Sequence, residues 1–206
     1  MRRLLVGAIA VGALAAAPAE RAYCQAVSLV RFGAGAGPSF PIGDLGDVAA
    51  IGFNVRGIVG LGAPGLPVGL RAELTYDWFP LQRDFTDQVC AGFSQCTVSG
   101  NVGVFSGAVN GVYAFPVTTR ARPYVVGGVG VYHQRLSTDI SAGGGGSVEG
   151  DDSQTRAGLN IGVGLRYDIR RWNVFTEARL VNVFTKDTGP GGGSSQFIPV
   201  TVGVIF

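Results

Sequence analysis

Between residues 68 and 78 apolar and polar side chains alternate without a break. Val68, Leu70, Ala72, Leu74, Tyr76 and Trp78 share one parity, and Gly69, Arg71, Glu73, Thr75 and Asp77 share the other. A β-strand points successive side chains to opposite faces, so a period of two makes a ribbon with one apolar and one polar side. The pattern recurs where Leu159, Ile161, Val163, Leu165 and Tyr167 oppose Gly158, Asn160, Gly162, Gly164 and Arg166. It recurs again where Ile51, Phe53, Val55 and Val59 oppose Gly52, Asn54, Arg56 and Gly60. Eight such segments can be counted: 28–38, 49–61, 68–78, 100–115, 123–136, 155–167, 173–184 and 196–206. Those at 100–115 and 123–136 alternate less cleanly. Helices are a poor alternative, because 34 of the 206 residues are glycine and each costs a helix interior about 1 kcal/mol relative to alanine.

Composition narrows the class. With 47% hydrophobic and 15% charged residues the chain is too apolar for intrinsic disorder. Its glycines follow no three-residue period, which excludes collagen. A net charge of +2, with Lys186 the only lysine, gives no footprint for nucleic acid. The links between the eight segments run roughly 10, 6, 21, 7, 18, 5 and 11 residues, long and short in turn. Outer-membrane barrels have an even strand number, short periplasmic turns and longer outside loops. That pattern places both termini in the periplasm. The short links carry Ala63-Pro64-Gly65, Pro116 to Arg122 and Asp168 to Arg171. The long ones carry Pro41 to Asp47, two cysteines, Gly143 to Gly146, and Gly189 to Gly193.

The N-terminus has the parts of a secretory leader: Arg2 and Arg3, an apolar run from Leu4 to Ala17, and a small-residue exit after Pro18. Fourteen apolar residues fall short of the roughly 20 that a spanning helix needs. Cleavage after Ala19 or after Ala26 fits. The second removes Cys24 and leaves an even pair, Cys90 and Cys96, so the expected division is a leader over 1–26 and a barrel domain over 27–206. In an oxidising compartment the two loop cysteines are expected to form a disulfide.

A sheet can span lipid only if it closes, since every backbone polar group must be satisfied internally. Eight strands enclose a lumen that side chains just fill. Charged residues then belong inside, because an arginine facing lipid at the midplane costs about 2–4 kcal/mol. Arg31, Arg56, Arg71, Glu73, Arg156, Arg166, Glu177 and Arg179 all lie opposite the apolar parity. Pairing Leu61 with Val68 across the tight turn sets Arg56 against Glu73, and the next short turn brings Arg166 near Glu177. Arg56, Arg71, Glu73, Arg166, Glu177 and Arg179 are therefore expected to form an ion-paired plug, since unpaired buried charge is expensive, the alternative being a partly solvated cavity lining with loose pairing. Tyr76, Trp78, Phe79, Tyr167 and Phe206 stand near segment ends, where aromatic girdles meet headgroups.

The eight-segment parse and the ending Ile198 to Phe206 resemble small bacterial outer-membrane barrels of the OmpA/OmpX kind. Arg122-Pro123-Tyr124-Val125 to Gly127-Gly128-Val129-Gly130 is similar to a fifth-strand motif of that family. The resemblance covers roughly 27–206. It implies that Phe206, with Val204, Val202 and Val200, is the signal read by the barrel-assembly machinery. It also implies a monomer in the outer membrane of a two-membraned bacterium, its surroundings being outer-membrane lipid and lipopolysaccharide. The 80–99 and 137–154 segments would be presented to that lipopolysaccharide, to surfaces or to ligands.

Other readings carry less. His133 is the only histidine, and a hydrolase would pair it with Ser137 or Ser141 as nucleophile and Asp139 as orienter. Its surroundings do not reproduce the spacing of barrel-type lipid-modifying enzymes. Gly60 to Gly65 matches GxGxxG but lacks the helix a pyrophosphate site requires, so it is a turn. Glu149, Asp151 and Asp152 read as a solvated loop, and no cofactor or metal site is expected. The alternative is a secreted lipocalin-like binding barrel, which would turn the charged parity outward and the aliphatic ladder inward. The expected architecture is an all-β, eight-stranded, antiparallel up-and-down transmembrane barrel that is not an enzyme.

Overall fold

A computed structural model describes residues 29–62, 65–82, 96–142, 146–169, 172–184 and 194–206, with side chains excepted at 29, 96–98 and 140–149. Its strands are β1 (Leu29–Ile42), β2 (Gly52–Gly62), β3 (Val68–Pro80), β4 (Cys96–Ala114), β5 (Ala121–Ala142), β6 (Gly146–Ile169), β7 (Trp172–Val183) and β8 (Ser195–Ile205). Among the described residues a short helix, α1 (Asp44–Val48), lies between β1 and β2. Each strand pairs antiparallel with the next, and β8 returns to β1, so the barrel is closed. The ends meet where Phe206 and Phe32 exchange backbone bonds of 2.8 and 3.0 Å. The leader over 1–26 and Cys90 lie outside the described residues, as does the side chain of Cys96.

The aliphatic ladder faces out. Leu70, Leu74, Ile161 and Val163 are each about 60% exposed, while Arg71, Glu73, Thr75 and Asp77 are buried. This is the inverse of a lipocalin. From Ala157 to Tyr167 the outward face of β6 carries no polar side chain before the tyrosine. Ten rises of ~3.3 Å at a tilt of about 40° give a belt about 25 Å tall, the height of a bilayer's hydrocarbon band. Phe53 and Trp78 pack at 5.5 Å toward one rim, and Tyr113 and Phe115 at 5.3 Å toward the other. Tyr76, Trp78, Tyr167 and Phe206 point outward, but Phe79 does not. It follows Trp78 by one residue, falls on the inward parity and is fully buried.

Three sequence expectations shift. The β2–β3 register is displaced by two residues: Leu61 faces Leu70, and Arg56 faces Thr75 rather than Glu73. Gly65, at φ 82°, and Pro67 occupy the turn, and Pro67, lacking an N–H, donates nothing to the ladder. Its carbonyl instead accepts from Ala114 at 2.7 Å. A two-residue slip leaves every side chain on its face, so the assignment of faces holds although the register does not. Second, residues 137–142 and 146–154, within the expected 137–154 loop, are strand. β5 and β6 run 22 and 24 residues and pair from Ala121–Tyr167 to Ala142–Gly146. Beyond the belt residues of both parities, such as Asp151, Asp152 and Ser153, are exposed, so no apolar parity marks the strand, although its Thr, Val and Ile residues suit a sheet. Third, the expected 80–99 loop begins with the end of β3 and finishes inside β4.

The uneven alternation of β4 and β5 has the same origin as the lumen filling. Val102 and Val104 on β4, and Tyr124, Val126 and Tyr132 on β5, are buried inside, so apolar residues occupy both parities. Inward glycines make room for the larger groups. A Cβ at Gly203 would stand 2.5 Å from the Phe175 ring, and one at Gly164 would enter the ring of Tyr124.

Candidate functional site

The lumen is filled in layers. At the mouth away from the start of β1 and the end of β8, α1 lays Leu45 and the adjoining Ala49 onto Phe79, Val102, Val104, Tyr132, Val181, Val183 and Phe197. Phe79 and Phe197 meet edge-to-face at 5.5 Å. Beneath this apolar stopper lies a polar layer. Ser39 donates to Asp77 at 2.9 Å, Thr201 donates to Asn54 at 2.8 Å, and the Asn54 amide donates to the carbonyls of Gly37 and Pro38.

The next layer holds the charge cluster. Glu177, on β7, accepts from Arg56 Nη1 at 2.5 Å, Arg71 Nη1 at 2.8 Å, Arg179 Nε at 2.5 Å and the Tyr124 hydroxyl at 2.8 Å. Glu73, on β3, is gripped by Arg179, with nitrogens 2.7 Å from each carboxylate oxygen. Arg71 stands 3.3 Å from Glu73, and Arg56 stands 3.8 Å from it. Arg179 also donates to Asn160 at 3.3 Å, and the Arg71 guanidinium lies 5.4 Å from the centre of the Tyr124 ring. All five charged side chains are at most 6% exposed. Arg56 and Glu73, adjacent in the expected register, meet diagonally through the arginine's length.

Arg166 is not in this cluster. It faces Phe175 across β6–β7, while Gly164 faces Glu177. The β6–β7 link is tighter than its sequence suggests, and the two-residue offset moves Arg166 toward the mouth where β1 begins and β8 ends. There Arg122 pairs with Asp168 at 3.0 Å. Sequence reasoning missed Tyr124, Asn160, Asn54 and Thr201. Inward parity was the available signal, but it selects these polar residues only after the charged positions are known to lie at their depth.

The other candidates fall elsewhere. His133 faces outward, and its Nδ1 lies 2.9 Å from the Thr155 hydroxyl. Ser137 is four residues along the same strand, about 13 Å away at strand spacing, and donates to Asp151 at 3.3 Å. Asp151 also takes a two-pronged grip from Arg135, whose Nε donates at 2.9 Å and whose Nη2 reaches the second oxygen. These bonds hold the Asp151 carboxyl below the usual aspartate range. Among the described residues no three His, Cys, Asp or Glu side chains converge as metal ligands. Val202 and Phe206 are exposed, and half-buried Val200 and Val204 share their outward parity.

An apolar belt of membrane height around a closed, charge-filled lumen defines a transmembrane β-barrel. The outer membrane protein beta-barrel domain model matches residues 4–206, and the chain belongs to that family. It is accordingly an outer-membrane protein of a Gram-negative bacterium. The fold is similar to the surface protein A of Neisseria, at 17% identity over 85% of this chain and 95% of that one, with a TM-score of 0.50. It is also similar to a major outer membrane protein of Thermus thermophilus, at 15% identity over 86% and 99%, with a TM-score of 0.56. No curated protein matches the chain.

Proposed function

We propose that this protein is a non-conducting, non-enzymatic outer-membrane barrel that acts at the cell surface through the strands rising beyond its belt. The observation that carries the reading is the Arg56–Arg71–Arg179–Glu73–Glu177 cluster, which spans the lumen from β2, β3 and β7 beneath the apolar stopper. An ion crossing the barrel would have to break several buried charge-assisted bonds, each stronger than a neutral hydrogen bond. The surface element is the extension of β4, β5 and β6. Its outward face changes at His133 and Thr155 from aliphatic to polar, with Arg135, Ser137, Asp151 and Ser153 above. This face meets lipopolysaccharide headgroups or external ligands.

The same reading places both termini in the periplasm after removal of a leader ending at Ala19 or Ala26, with Cys90 and Cys96 as a disulfide outside. Val202, Val204 and Phe206 address the barrel-assembly machinery, and the barrel works as a monomer. The test is conductance. Folded protein, recognised by faster migration when unboiled, is inserted into planar bilayers. No stable channel is expected, whereas a steady porin-like conductance would overturn the plugged lumen.

A further inference from the structure

Among the described residues, the mouth at which β1 begins and β8 ends carries more positive charge than its own carboxylates neutralise. Arg31 on β1, Arg71 on β3, Arg122 on β5 and Arg166 on β6 line one cavity of about 230 Å³. Arg71 is committed to Glu177 and Glu73 in the roof, and Arg122 is paired with Asp168. Among the described residues, neither Arg31 nor Arg166 has a carboxylate within 4.0 Å. The Nε of Arg166 is buried and lacks a hydrogen-bond partner. The roof adds to the excess, since its three arginines face only two glutamates.

A buried guanidinium nitrogen without an acceptor is costly, and like charges around a shared cavity raise that cost. A ligand that relieved both would be an anion with several acceptor oxygens. The four arginines approach from four strands around the barrel wall. A planar carboxylate offers two oxygens in one plane, whereas a phosphate offers oxygens in several directions, and guanidinium forks match it. At about 30 Å³ per water, the cavity holds a phosphate group together with residual water. We propose that this mouth is a binding site for a phosphate group, held by Arg31 and Arg166 with Arg122 at its rim. The phosphate belongs to a free anion or to a phospholipid headgroup at the membrane edge.

The experiment uses full-length folded barrel in a phosphate-free non-ionic detergent. Inorganic phosphate is titrated by calorimetry in one arm and a short-chain phosphatidic acid in the other. One equivalent is expected to bind in the millimolar range or tighter, and Arg166→Gln is expected to weaken it roughly tenfold. Arg31→Gln, at an exposed position, gives a second test if the first variant does not fold, and unboiled migration reports folding for both. Arginine-dependent binding of inorganic phosphate supports the site with the free anion sufficient. Arginine-dependent binding of the lipid alone supports it with the headgroup as source. Binding of neither, or binding unchanged in both variants, overturns it.

Discussion

Replacing Glu177 by glutamine isolates charge from shape. The side chain is fully buried and accepts from Arg56, Arg71, Arg179 and Tyr124. Glutamine fills the same volume, so no cavity opens. It retains one acceptor oxygen, places an amide donor against arginine donors, and raises the cluster from one uncompensated positive charge to two. Removing one partner of a buried ion pair costs about 3–5 kcal/mol, because the remaining charge is stranded. At a urea slope of about 2 kcal/mol per molar, the unfolding midpoint in lipid vesicles should fall by roughly 2 M. The only tryptophans, Trp78 and Trp172, face the lipid side and report the transition by fluorescence. Glu73→Gln should cost less, since Arg179 alone holds Glu73 at 2.7 Å while Arg71 and Arg56 stand at 3.3 and 3.8 Å. Adding Arg71→Gln to Glu177→Gln should recover part of the loss, because the two charges are coupled. A Glu177→Gln shift within about 0.5 kcal/mol, the range of an ordinary surface substitution, would show that water solvates the arginines and would refute the packed cluster.

Gly164→Ala pushes a Cβ into the Tyr124 ring and so displaces its hydroxyl from Glu177; overpacking of this kind should cost about 1–3 kcal/mol in the same unfolding measurement. Val163→Arg, within the outward belt, should destabilise the barrel by about 2–4 kcal/mol, whereas Ser153→Arg, above the His133–Thr155 boundary, should stay within about 0.5 kcal/mol. Equal effects from the pair would misplace the membrane edge. Phe206→Ala should lower the fraction of heat-modifiable protein recovered from cell membranes, with purified protein still able to refold in detergent.

What was legible in the sequence follows from what period two encodes. It reports which parity is apolar wherever one face meets lipid, so β2, β3 and β6 show their faces from Phe53, Leu70 and Ile161 alone. It is blind where both faces share a solvent. Ser137 and Asp151 are paired strand residues that look like loop, because water lies on either side of them. It is blind again where the lumen itself is apolar, as at Phe79, Val104 and Val126. Register is a separate variable. Arg56 and Glu73 belong to one charged layer whether they are opposed or two residues apart, so the cluster was legible while its pairing was not. Arg166 shows the limit of that tolerance: two residues separate a place beside Glu177 from the mouth of the barrel.

The glycines and arginines of this chain solve one steric problem together. An eight-stranded lumen is just wide enough for side chains to fill, so three arginines cannot converge on Glu177 unless the facing wall is bare. Gly162 and Gly164 supply that wall, the first against the Arg179 side chain and the second beneath Tyr124. An arginine layer with bulkier neighbours would force the strands apart, and a glycine layer without arginines would leave an open channel. The charge cluster and the glycine-rich inner face therefore depend on each other, and substitutions in either should be compensated only by substitutions in the other.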